Sequence, residues 1–133
     1  MFGKKKQPPI RSLVAHGSEI TGNVSFSDGM RIDGGVIGNV SGQEGQPSIL
    51  VISESAQVTG EIRADHVIIN GSVKGPVYAT ELLELQPKAR IDGDVHYKAL
   101  EMHQGAVIAG QLCPMLPQAQ EEKPLLKLAA NNG

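Results

Sequence analysis

Four histidines, three spaced aspartates and one cysteine are the residues of this 133-residue chain whose types could do chemistry. His16, His66, His96 and His103 offer general bases near neutral pH, as an acyltransferase built on a left-handed β-helix would use. Asp33, Asp92 and Asp94 offer the paired carboxylates of glycoside cleavage. His66, His96 and His103 can also be read as metal ligands meeting across a fold, and Cys113 as a thiolate. The spacing supports none of these. No histidine stands in a nucleophile–base pairing with a Ser or Cys, and there is no i,i+4 histidine pair or CxxC. Asp33 and Asp92 each directly precede a glycine where Asn70 and Thr21 stand elsewhere, and that interchange of polar types points to outward turn positions. Cys113 precedes Pro114 and lacks an electropositive setting. The sequence therefore predicts no catalysis, no metal and no cofactor.

A second kind of chemistry lies at the start. Met1 and Phe2 form an apolar tip, followed by Lys4, Lys5, Lys6 and, further on, Arg11. Near an anionic lipid surface each basic residue contributes ~1 kcal/mol, and insertion of Phe2 adds ~2 kcal/mol. The sum, about 6 kcal/mol, is weak for one molecule but strong for an array bound by avidity. Met1, Phe2, Lys4, Lys5 and Lys6 are thus the candidate membrane-binding residues, provided the protein polymerises. For a monomer, a solubilising tail is the better reading. No apolar segment follows the cluster, and Phe2 in place of glycine excludes myristoylation. The longest aliphatic run, 49–52, is too short to span a bilayer, so any membrane contact is expected to be peripheral. A net charge of −2 offers no global attraction to nucleic acid, and a single cysteine allows a reducing compartment.

The elements that position these residues follow from a repeat. The pattern apolar-x-Gly-x-apolar recurs around Gly22, Gly38, Gly60, Gly75, Gly93 and Gly110, with further matches at Gly34 and Gly71. Leu50, Leu83 and Leu100 each stand ten positions before a motif glycine, and Ala56, Ala89 and Ala106 four before it. Apolar residues at period two are strand behaviour. The steps between the six glycines are 16, 22, 15, 18 and 17 residues, and the long step contains the turn-rich insertion 42–47. Sixteen to eighteen residues make one winding of three short strands and three corners, so the chain is read as an all-β parallel β-helix of about six windings. At about 4.8 Å per layer the rod is roughly 30 Å long. Its core must be aliphatic, because there is no Trp and only two Phe and two Tyr. Hairpins of a β-sandwich would put the glycines between strands; here they lie inside the motif. The glycines are expected to face inward near a corner, where a Cβ would collide or φ must be positive. Pro76 fits only at a corner, since a central strand needs its N–H.

Residues 1–12 are read as a disordered basic arm, 13–113 as the β-helix and 114–133 as a disordered tail with three prolines. Neither flank provides a capping helix, so the first and last windings are expected to expose unpaired backbone. The apolar residues of those windings are the candidate polymer contacts: Leu13, Val14 and Ile20 at one end, Leu100, Met102, Val107, Ile108 and Leu112 at the other. Stacking end on end would give a filament if the operation does not close. The competing arrangements are tails that seal the ends of a monomeric binding module, and a trimeric acyltransferase. A left-handed acyltransferase helix steps by six residues, a phase these intervals break.

The arm at Met1–Lys6, the opening Ile20-Thr21-Gly22-Asn23-Val24, the doubled 69–77 segment, and Leu83-Glu84-Leu85-Gln86-Pro87 running into Ile91-Asp92-Gly93-Asp94-Val95 together resemble the bactofilins, a bacterial polymer-forming cytoskeletal family. The resemblance covers about residues 10–113. It implies a right-handed, roughly triangular β-helix. It implies non-polar filaments that need no nucleotide, joined head-to-head and tail-to-tail. It implies a cytoplasmic scaffold, peripheral on the inner face of the membrane, for cell shape and cell-wall enzymes, with the arm matching the family's membrane-targeting segment. The insertion 42–47 departs from the shortest members.

Overall fold

The computed structural model describes residues 8–115, and they form fifteen β-strands in parallel register. Each winding lays one strand segment on each of three faces. The first face stacks β1 (Ile10–Val14), β4 (Asp28–Ile32) and β7 (Ser48–Ile52), then the later halves of β9 (Ile62–Ile69), β11 (Val77–Leu85) and β13 (Val95–Met102). The second stacks β2 (Glu19–Thr21), β5 (Gly35–Ile37), β8 (Gln57–Thr59), β10 (Ser72–Lys74), β12 (Arg90–Asp92) and β14 (Val107–Ala109). The third stacks β3 (Val24–Phe26), β6 (Val40–Gly42), the first halves of β9, β11 and β13, and β15 (Leu112–Pro114). Six windings result, as the glycine count predicted.

Inward residues of the three faces stack in columns. Ile20, Val36, Val58, Val73, Ile91 and Ile108 make the second; Val24, Val40, Ile62, Val77, Val95 and Leu112 make the third. In the middle windings these side chains are fully buried, with Ile62, Val77 and Val95 all at 0% exposure. Alternation thus fills the prism with aliphatic side chains from three directions. Burying one such side chain contributes roughly 1.5–3 kcal/mol before entropy is counted.

The motif glycines sit at the corner between the second and third faces, so each motif straddles a corner. Their missing Cβ points along the rod rather than inward, which corrects the expectation from alternation. A Cβ on Gly38, Gly60, Gly75, Gly93 or Gly110 would land on the carbonyl oxygen of the motif glycine one winding earlier. Gly60 shows the second constraint too, with φ +148°. Just after the glycine, side-chain oxygens link the windings. Asn23 Oδ1 accepts the Asn39 N–H (2.9 Å), Asn39 Oδ1 that of Glu61 (3.0 Å), and Asp94 Oδ1 that of Gln111 (2.9 Å). Pro76 occupies this corner position, and its carbonyl accepts the Ile62 N–H at 3.0 Å.

The corner between the first and second faces comes in two lengths. Four-residue turns close at Ala15–Ser18, Ser53–Ala56, Gln86–Ala89 and His103–Ala106, each with an N–H to carbonyl bond of 2.9–3.2 Å. Windings two and four turn instead on Asp33-Gly34 and Asn70-Gly71, which explains the doubled motifs. Ala56 and Ala89 are buried under their turns. The insertion lies at the third corner, between β6 and β7, as expected.

Strand β1 begins at Ile10, inside the stretch assigned to the arm, because Ile10 and Ser12 already find partners at Gly29 and Met30. Arg11 therefore belongs to the first winding, with its Nε 3.6 Å from Asp28. At the other boundary Pro114 pairs with Tyr97 as the end of β15. The membrane-binding candidates Met1, Phe2, Lys4, Lys5 and Lys6, and the tail from residue 116 onward, lie outside the described residues.

Candidate functional site

The residues first singled out for catalysis are spread over the surface of the rod. His16 lies in the exposed Ala15–Ser18 turn. His66 stands in register between Ile49 and Leu82 on the first face. His96 is on the third face, its ring stacked on Tyr78 at 4.4 Å and 8°, and the Arg63 guanidinium lies 4.2 Å from the Tyr78 ring centroid. Tyr78 is therefore clasped by its neighbours on both adjoining windings and has no free ring face for a ligand. Cys113 follows His96 in register, its thiol 3.9 Å from the Gln111 carbonyl oxygen.

The aspartates hold structural posts. The carboxyl of Asp33 is kept below the ordinary value of 3.8, first by the Ser53 hydroxyl and then by the Arg31 guanidinium, whose Nε lies 2.8 Å away. Asp92 points outward in register with Lys74, and Asp94 belongs to the corner ladder. An open groove of about 630 Å³ lies beside the short corner at Asp33, between the longer turns of windings one and three.

One cluster was not foreseen. Glu84 and Glu101 are in register on adjacent windings of the first face, and His103 Nε2 lies 3.6 Å from Glu84 Oε2 and 3.3 Å from Glu101 Oε2. The signal was present: Glu84 and Glu101 are 17 residues apart, the same step as Gly93 to Gly110. Only the register across windings brings His103 to the two glutamates.

The two ends of the rod provide the other candidate site. At the last winding, inward positions lose their cover. Met102 is 44% exposed where its register partner Leu85 is at 0%, and Leu112 is 50% exposed where Val95 is at 0%. Leu100 and Ile108 occupy the same end and are half-buried. Four of the named residues thus converge on one apolar end face. At the first winding Ile20 and Val24 are half-buried, whereas Val14 is 4% exposed and belongs to the core. Val14 is consequently not an accessible contact in the rod. Leu13 and Val107 are exposed, but they pair with Arg31 and Arg90 in outward columns and face sideways. Strands β2 and β14 are the edges of the six-stranded sheet, and β1 and β15 end the longer one. A row of unpaired backbone groups therefore runs beside each apolar end.

No helix among the described residues is long and apolar enough to cross a membrane. Neither a curated protein nor a solved structure matches the chain. A family profile does: that of Bactofilin, described as polymer-forming cytoskeletal, over residues 12–113.

Proposed function

The chain belongs to the bactofilin family of polymer-forming cytoskeletal proteins, and from that premise we propose that it polymerises end to end through its first and last windings. The observation that carries this reading is the last winding, where Met102 and Leu112 stand in core register without a layer over them. A second copy supplies that layer and pairs the strand edges at the same time, joining apolar burial to β-augmentation. Both ends are apolar, and we take like ends to meet across a two-fold axis, as the resemblance to the family implies, which gives a filament without polarity. No nucleotide step belongs to this scheme, because no phosphate-cradling glycine loop with Lys-Ser or Lys-Thr occurs in the sequence.

The filament lies on the inner face of the cytoplasmic membrane through the basic arms, where it scaffolds cell-wall enzymes. Lys4, Lys5 and Lys6 carry the charge of the arm, since Arg11 is held in the first winding beside Asp28. Three charges and Phe2 supply about 5 kcal/mol per arm, a weak contact that becomes strong when many arms engage together.

Sedimentation of Leu112→Arg tests the assembly reading. It places a charge on the end face and is expected to convert filaments to small species. Ile37→Arg, at an exposed apolar residue on the outer side of the second winding, is expected to pellet like wild type. Unchanged pelleting of Leu112→Arg would remove the last winding from the interface.

A further inference from the structure

We propose that Glu84, Glu101 and His103 form a binding site for a divalent transition-metal ion that ties the last winding to the one before it. Among the described residues, this is the one group of three His, Cys, Asp or Glu side chains whose ligand atoms all lie within 4.8 Å of one another. Two edges of the triangle measure 3.3 and 3.6 Å. Tetrahedral zinc with metal–ligand bonds of about 2.0–2.2 Å needs ligand atoms about 3.3–3.5 Å apart, and both of these edges lie at or near that separation. One imidazole nitrogen and two carboxylate oxygens suit zinc, cobalt or nickel rather than calcium or magnesium. A fourth position remains toward solvent, since Glu101 and His103 are exposed.

The register of the two glutamates asks for a positive partner at this place. Of the registered strand pairs, Glu84 and Glu101 alone put like charges opposite each other. Directly opposed like charges destabilise a strand pair. Elsewhere the rod places opposite charges together, as in Lys74 with Asp92 and Lys98 with Glu81 at 3.6 Å. The ligands also sit on a rigid support. Parallel pairing fixes the two glutamates, the Gln86 side-chain amide donates to Glu84 Oε2 at 3.1 Å, and the His103 backbone N–H is bonded to the Leu85 carbonyl at 2.8 Å. Such second-layer bonds orient metal ligands.

Equilibrium dialysis of the tag-free, chelator-stripped full chain against zinc tests the site, because it reads bound metal whether or not the protein is polymerised. The expected result is one saturable zinc per chain. Affinity should fall at least tenfold in both His103→Gln and Glu101→Gln and stay unchanged in His96→Gln. Zinc should raise the thermal midpoint of wild type but not of His103→Gln, as binding to the folded state alone requires. Cobalt should give visible bands without a sulfur charge-transfer band. Absence of saturable binding, equal affinity in wild type and His103→Gln, or loss of the site in Cys113→Ser would each overturn the assignment. Glu101 and His103 are exposed and His96 and Cys113 are half-buried, none of them in the core, so circular dichroism of each variant should match wild type.

Discussion

Gly60 has no room for a side chain because the place of its Cβ belongs to the carbonyl oxygen of Gly38, one winding earlier. Gly22 shares the positive φ, +131°, but sits in the first winding, where nothing lies within 4 Å of such a Cβ. The pair separates two causes that usually act together. Gly22→Ala carries only backbone strain, about 1–3 kcal/mol, while Gly60→Ala adds a clash with backbone that cannot move aside. Urea unfolding should show Gly60→Ala as much the more destabilised; equal losses would mean that φ alone accounts for the column. Asp33 gives a pH-dependent counterpart. Its folded pKa is depressed, so its contribution is present above 3.8, the ordinary value, and is lost as acid carries the pH through the lower folded range. Asp33→Asn should be less stable than wild type at neutral pH. The difference should close below pH 3.8, and a gap that widens on acidification would reverse the sign.

Strands in this rod are short, and corners decide how they stack. At the third corner Asp65 joins three successive passes of the chain. Its Oδ2 accepts the Ser48 N–H at 3.2 Å, its Oδ1 accepts the Thr80 hydroxyl at 2.6 Å, and its own N–H donates to Ser48 Oγ at 3.1 Å. Ser48 is the buried polar residue of the rod, 4% exposed, so its N–H loses its acceptor in Asp65→Ala. That should cost ~1–3 kcal/mol in chemical denaturation, with partial recovery in Asp65→Asn. A neutral result would show that water replaces the carboxylate. The same corner absorbs the insertion between β6 and β7, which is why a step of 22 residues does not disturb the register.

In the proposed assembly, a rod whose end windings are open among the described residues carries an arm whose value depends on number. On that proposal one arm binds weakly and a row of arms binds well, so membrane attachment should follow assembly rather than precede it. Deleting residues 1–6 should abolish co-sedimentation with anionic vesicles while filaments still pellet by themselves. Vesicle binding retained by the truncated chain would refute the arm assignment. Leu112→Arg should weaken vesicle binding indirectly, although its arm is intact, by reducing the number of arms per particle. Arm and ends can thus be distinguished by which variant loses both properties.

The amino-acid sequence by itself determined the solenoid, its six windings, the corner glycines and the aliphatic core. These are local or periodic properties: alternation sets the inward face, and a glycine recurring near every seventeenth position reports a contact made once per turn. Pro76 was legible for the same reason, since a missing N–H restricts where a residue can stand. Three matters were decided only in three dimensions. The glycines face along the rod, because what they avoid is the preceding winding and not the core. Val14 is buried while Leu112 is open, although each lies in a terminal strand, because exposure at an end depends on the packing of that end and not on alternation. Glu84, Glu101 and His103 meet because register across windings brings together residues that no local window contains.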